Sequence, residues 1–188
     1  SLARFLVSFT SVGALMRTQW GWPIAESIHF IGLTLLVGTI GLFDLRLLGV
    51  GKRIPIAALH RLIPWGLFGF GLNVVTGLAF LMTEPDQYLY NPSFHLKVLF
   101  LAIAGLNALT FYVTTFGEVA KPGASAYPPF RARIIAAISL AMWMGVIITG
   151  RLLTFYRPAP CEPPGPGFIA TCLPGDFSRY TSPRELRR

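Results

Sequence analysis

The chain has 188 residues and a formal net charge of +8, with 53% of its residues hydrophobic and 13% charged. That charged share is about half the ~25% of a soluble domain, too small to cover a water-facing surface of this size. A soluble enzyme, a disordered chain and a nucleic-acid binder all fit poorly, and the composition reads as an integral membrane protein.

Residues 1–19 form the first unit. Leu2, Phe5, Phe9, Val12, Gly13 and Met16 recur at helical spacing on one face, with Arg4, Ser8 and Ser11 opposite. The segment is too short to span, so it is predicted as an amphipathic helix lying in the membrane interface. Trp20 and Trp22, flanking Gly21 ahead of Pro23, mark the headgroup level where the first span begins.

Residues 20–156 form the membrane domain. No charged residue occurs between Arg61 and Glu84, or between Lys97 and Glu118, and Ser27 to Phe43 and Ile134 to Gly150 are likewise uncharged. A helix crossing the hydrocarbon core needs roughly 20 such residues. Four spans are predicted, near residues 22–46, 62–83, 95–117 and 131–155. They are helices because lipid leaves no other way to satisfy the backbone in an unpaired segment. The expected fold is all-α, a four-helix membrane bundle preceded by the interfacial helix and followed by an irregular tail.

The positive charge gathers at the ends of the spans. Arg46, Lys52, Arg53 and Arg61 follow the first, and Lys121, Arg131 and Arg133 follow the third. The loop between spans two and three carries Glu84 and Asp86 before Lys97. By the positive-inside rule the two basic loops face the cytoplasm of a bacterial inner membrane, and both termini face the periplasm. Asp44 and Arg46 in FDLRLLG are expected to form an interfacial ion pair. The tail, residues 157–188, is rich in Pro and Gly without periodicity. Its cysteines, Cys161 and Cys172, are expected to close a small disulfide loop in an oxidising periplasm.

Ionisable groups within a span usually mark function. Glu26 and His29 lie one helical turn apart, and Gly32 continues that face. Gly32 leaves room for a neighbouring helix, or something flat, beside the imidazole. His95 and Lys97 open the third span, which descends from the same side, whereas His60 stands at the opposite edge. His29 lies roughly 22 Å above the Asp44 end of its helix, counting 1.5 Å per residue. His29 and His95 can therefore share a level. Two imidazoles on different helices at one level are what axial ligation of a b-type haem requires, with Glu26 fixing a tautomer and Lys97 and Arg17 meeting the propionates. In the second span Gly66, Phe70, Asn73 and Gly77 recur on one face beside Gly69 and Thr76. They read either as a cofactor groove with Asn73 as its hydrogen-bonding amide, or, with more weight, as small-residue helix packing.

The stretches WPIAESIHFIGLTLLVG, DLRLLG, IPWGLFGFGLNVVTG, NPSFHLKVLFLAIAGLNA and WMGVIITGRLL together resemble a family of small bacterial four-helix membrane proteins. That family is distantly similar to the copper-resistance protein D membrane domain and to HemJ-type protoporphyrinogen oxidase. The resemblance implies a four-helix haem b protein with an important histidine in an early helix and a lysine in a later one. These fall on His29 and Lys97. The RLF that follows the first helix in the HemJ group is DLRLLG here.

The expected function is a b-type-haem membrane subunit passing electrons near the outer face, working with a redox partner or a larger membrane complex. The alternative is a cofactor-free accessory subunit of such a complex. A metal transporter ranks lower, because no Met/His/Cys ligand series is present, and a porphyrinogen oxidase ranks last.

Overall fold

The computed structural model describes residues 10–119 and 128–156. Among these residues eight helices follow one another: α1 (Thr10–Met16), α2 (Gly21–Leu47), α3 (Ile56–His60), α4 (Ile63–Thr83), α5 (Pro85–Leu89), α6 (Pro92–Thr114), α7 (Phe116–Val119) and α8 (Phe130–Leu152). The long ones have 27, 21, 23 and 23 residues. At 1.5 Å per residue the shortest covers about 32 Å, enough for a hydrocarbon core of about 30 Å. All four are apolar enough to cross a membrane. The fold is therefore the all-α four-helix membrane bundle read from the sequence. Side chains such as Val75, Leu106 and Val113 are 65% or more exposed, as lipid-facing positions are.

Local chemistry sets the helix ends. α6 begins at Pro92, three residues before the expected start, because Asn91 caps it: Asn91 Oδ1 accepts from Ser93 N–H at 2.9 Å. Proline suits the first helical position, where its missing N–H costs nothing. α2 ends at Leu47, and the loop beyond turns through Gly49 and Gly51, whose φ angles of +100° and +64° favour glycine. α8 stops at Leu152 rather than 155, and residues 153–155 form a turn closed by Thr154 N–H to Arg151 O at 3.3 Å.

The helices pack as two hairpins. α2 lies along α4, α6 lies along α8, and α2 against α8 joins the pairs, while α4 and α6 scarcely touch. At the basic-loop end Phe43, Leu47, Phe111 and Val119 pack around Ala132 and Ala136, which are fully buried. The small alanines let α8 approach closely. At the other end α5 acts as a clamp. Gln87 Nε2 donates to Leu153 O at 2.9 Å and to Tyr156 O at 2.8 Å, and Asn91 Nδ2 donates to Tyr156 O at 2.9 Å.

The described part of the N-terminal segment is the two-turn α1. Met16 is buried with Ala25 and Phe80, and Val12 packs beside them. The face predicted as apolar is thus turned onto the bundle over this stretch. The remainder of that segment, and Cys161 and Cys172 with the tail, lie outside the described residues.

Candidate functional site in the membrane

α2 and α4 meet along a seam of small residues. A β-carbon added at Gly32 would lie 2.7 Å from Asn73 Nδ2 and 2.8 Å from Gly69 O, so the space beside Gly32 is filled by α4. Asn73 Nδ2 donates to Gly69 O of its own helix at 2.9 Å. Gly66 faces Thr39 of α2 in equally close approach, whereas Gly77 has open space and Phe70 is exposed. The Gly66/Asn73 pattern therefore serves helix packing, with Asn73 seated in the seam.

This contact aims His29. Its Nδ1 lies 2.7 Å from Thr76 Oγ1 on α4, and the Thr76 hydroxyl is 2.7 Å from Leu72 O. A serine or threonine hydroxyl has a single proton, and here it goes to the Leu72 carbonyl. Thr76 Oγ1 therefore accepts from His29 Nδ1–H, and the neutral ring carries its lone pair on Nε2. Phe80 lies edge-on to the imidazole with ring centroids 5.7 Å apart, and Trp22 in turn packs on Phe80 at 4.9 Å. The ring is thus held by a hydrogen bond on one side and by aromatic packing on another.

Lys97 enters from α6. Its stem runs along α8, with Nζ 3.6 Å from where a β-carbon of Gly150 would stand. His29 thus stands on α2, in one hairpin, and Lys97 on α6, in the other.

The other expected residues are placed differently. His95 Nε2 donates to Leu89 O at 2.8 Å, tying the first turn of α6 to α5. A neutral ring donating from Nε2 carries its lone pair on Nδ1. The Nδ1 partner of His29 is Thr76 rather than Glu26. Glu26 lies near α5, where its charge reaches Tyr88. Burial first, and then the carboxylates of Glu84 and Glu26, push the Tyr88 phenol up to about 12. Arg17 Nη2 donates to Thr83 O at 3.3 Å, at the end of α4. Asp44 hydrogen-bonds to Ser139 of α8, while Arg46 turns to the loop, with Nε donating to Ile54 O at 2.7 Å and Nη2 to Lys52 O at 3.3 Å. Residues two apart on a helix project about 200° from one another, so the two side chains diverge.

The donor set fits one axial position of a haem. His29 offers an oriented Nε2 lone pair, backed by a hydrogen bond on the other nitrogen, and Lys97 would hold a propionate. His95 has its Nε2 engaged by the Leu89 carbonyl. Among the described residues no group of three or more His, Cys, Asp or Glu side chains could hold a bare metal ion. Searches of protein-family models, curated proteins and solved structures found no match to this chain.

Proposed function

We propose that this chain is a b-type-haem membrane protein that carries electrons, with His29 as the iron ligand and Lys97 as the partner of a propionate. One observation carries the reading: the His29–Thr76 bond leaves an imidazole Nε2 lone pair inside a membrane bundle whose α6 carries the half-buried Lys97. Intramembrane ionisable groups are costly and usually functional, and a haem would supply the redox chemistry. His29 and Thr76 orient the ligand, and Phe80 and Trp22 wall it. His95 would be a second ligand through Nε2 only on release of the Leu89 carbonyl. The basic loops after α2 and α6 support an orientation with those loops in the cytoplasm and the His29 end near the opposite face of a bacterial inner membrane.

The test is a reduced-minus-oxidised spectrum with a pyridine haemochrome assay on protein purified in mild detergent from haem-replete cells. The expected result is about one haem b per chain, the number a single iron-ligating site allows. His29→Ala should abolish it. His95→Ala should retain the haem, and a change of spin state in that variant would identify His95 as the second ligand. A colourless protein would overturn the proposal, and its co-purification with a larger membrane complex would favour the accessory-subunit reading.

A further inference from the structure

The end of the bundle opposite His29 holds an ionisable group that the haem reading does not use. Asp44 is only 5% exposed although it lies three residues before the end of α2. Ser139 of α8 hydrogen-bonds to its carboxyl group. The other oxygen, Oδ2, is buried and has no hydrogen-bond partner among the described residues.

Among the described residues no ion pair to Asp44 is seen, and its carboxyl group's one hydrogen-bond partner is Ser139. On its own helix Arg46 projects the other way, onto the Ile54 and Lys52 carbonyls. α4 and the described α1 carry no ionisable residue. On α3, His60 meets the Tyr112 hydroxyl at 3.3 Å and stacks on Phe116 at 4.6 Å. On α8, Arg131 and Arg133 are exposed, and Arg151 lies at the far end over Phe155. The surroundings of Asp44 on α2 are apolar: Phe43 next to it and Leu47 one turn on pack with Ala132 and Ala136 of α8. A carboxylate buried in such surroundings is strongly disfavoured unless paired, whereas the neutral acid is tolerated.

We infer that Asp44 and Ser139 form a proton-binding site, in which Oδ2 takes up a proton from the face carrying the Leu48–Pro55 loop and returns it there. The Ser139 hydroxyl keeps donating to the other carboxyl oxygen in both states, so one O–H bond forms or breaks and nothing else is exchanged. Asp44 lies about 4.5 Å along the axis from the helix end, which keeps the route from water short. The site is independent of whether haem binds at His29.

Infrared spectroscopy of the purified full chain, in water and in deuterium oxide, tests it. The expected result is the C=O stretch of a protonated carboxyl that moves to lower frequency in deuterium oxide and vanishes in Asp44→Asn. Ser139→Ala keeps the acid and should move the band to higher frequency, so this variant tests the assignment even if Asp44→Asn does not fold. Raising the pH should remove the band reversibly. A folded wild-type protein with no such band at any pH would overturn the proposal, as would a band unchanged in both variants.

Discussion

The backbones of Gly32 and Gly69 touch so closely that a β-carbon on Gly32 would come within 2.8 Å of the Gly69 carbonyl oxygen, and one on Gly69 within 2.5 Å of the Gly32 carbonyl oxygen. Because the obstacle is backbone, no side-chain rotation relieves it. Gly32→Ala and Gly69→Ala should each force α2 and α4 apart and cost about 1–3 kcal/mol, the usual scale of overpacking. Thermal unfolding in detergent checks this. Gly71→Ala, where nothing lies within 4 Å of the added carbon, is the control and should leave stability unchanged or raise it.

Thr76 is the orienting partner of His29, and its removal has two consequences. Thr76→Val keeps the volume but leaves His29 Nδ1–H without its acceptor, which should cost about 1–3 kcal/mol for an unsatisfied buried donor. If His29 binds iron, haem affinity should also fall about 10–100-fold, as for other groups that orient a metal ligand. Thr76→Ser should restore both. Equilibrium unfolding and haem titration read the two effects separately.

Asn91 is fully buried, caps α6 and holds the end of α8. Asn91→Ala removes both functions and should cost about 1–2 kcal/mol, mostly the lost helix cap, since Gln87 still donates to the Tyr156 carbonyl. Asn91→Asp keeps the acceptor for Ser93 N–H and loses the donor to Tyr156, so it should weaken the α8 contact, left to Gln87 alone, while retaining the α6 start. Hydrogen exchange at the α8 terminus and at the first turn of α6 distinguishes the two.

Tyr88 makes the corner around α5 sensitive to alkali. Its phenol is raised to about 12 by burial and by Glu84 and Glu26, so the folded state favours the neutral form more than the unfolded state does. That contribution is fully present below the ordinary tyrosine pKa of about 10 and is lost as the pH rises through 12. Its size is at most about 2 kcal/mol, since the group is partly solvated. Melting curves between pH 9 and 12 should show a steeper loss of stability for the wild type than for Tyr88→Phe.

The spans are legible in the sequence because an uncharged run long enough to cross lipid has few other uses, and because His29 and Lys97 stand out within such runs. Helix ends are less legible. The start of α6 depends on Asn91 and Pro92 acting together, a signal that the hydrophobic run masks by resuming only after them. Thr76 is mentioned by spacing alone, since its role depends on how α4 is rotated against α2, which Gly32 and Gly69 decide. Asp44 and Arg46 read as partners because they are neighbours in the sequence, yet their helix sends one to α8 and the other to a loop. Ser139 carries no signal at all until α8 is packed against α2.

The arrangement of the helices as two hairpins gives the bundle a mechanical asymmetry. Each hairpin is zipped along its length, α2 to α4 and α6 to α8, and α2 against α8 is the long contact that links them. A rocking motion about that contact would alter the separation of α4 from α6 while leaving each hairpin intact. The helix bearing Thr76 belongs to one rigid half and the helix bearing Lys97 to the other. Bilayer thickness or lateral pressure would then act on the spacing of the two hairpins as units, leaving the seam within each hairpin undisturbed.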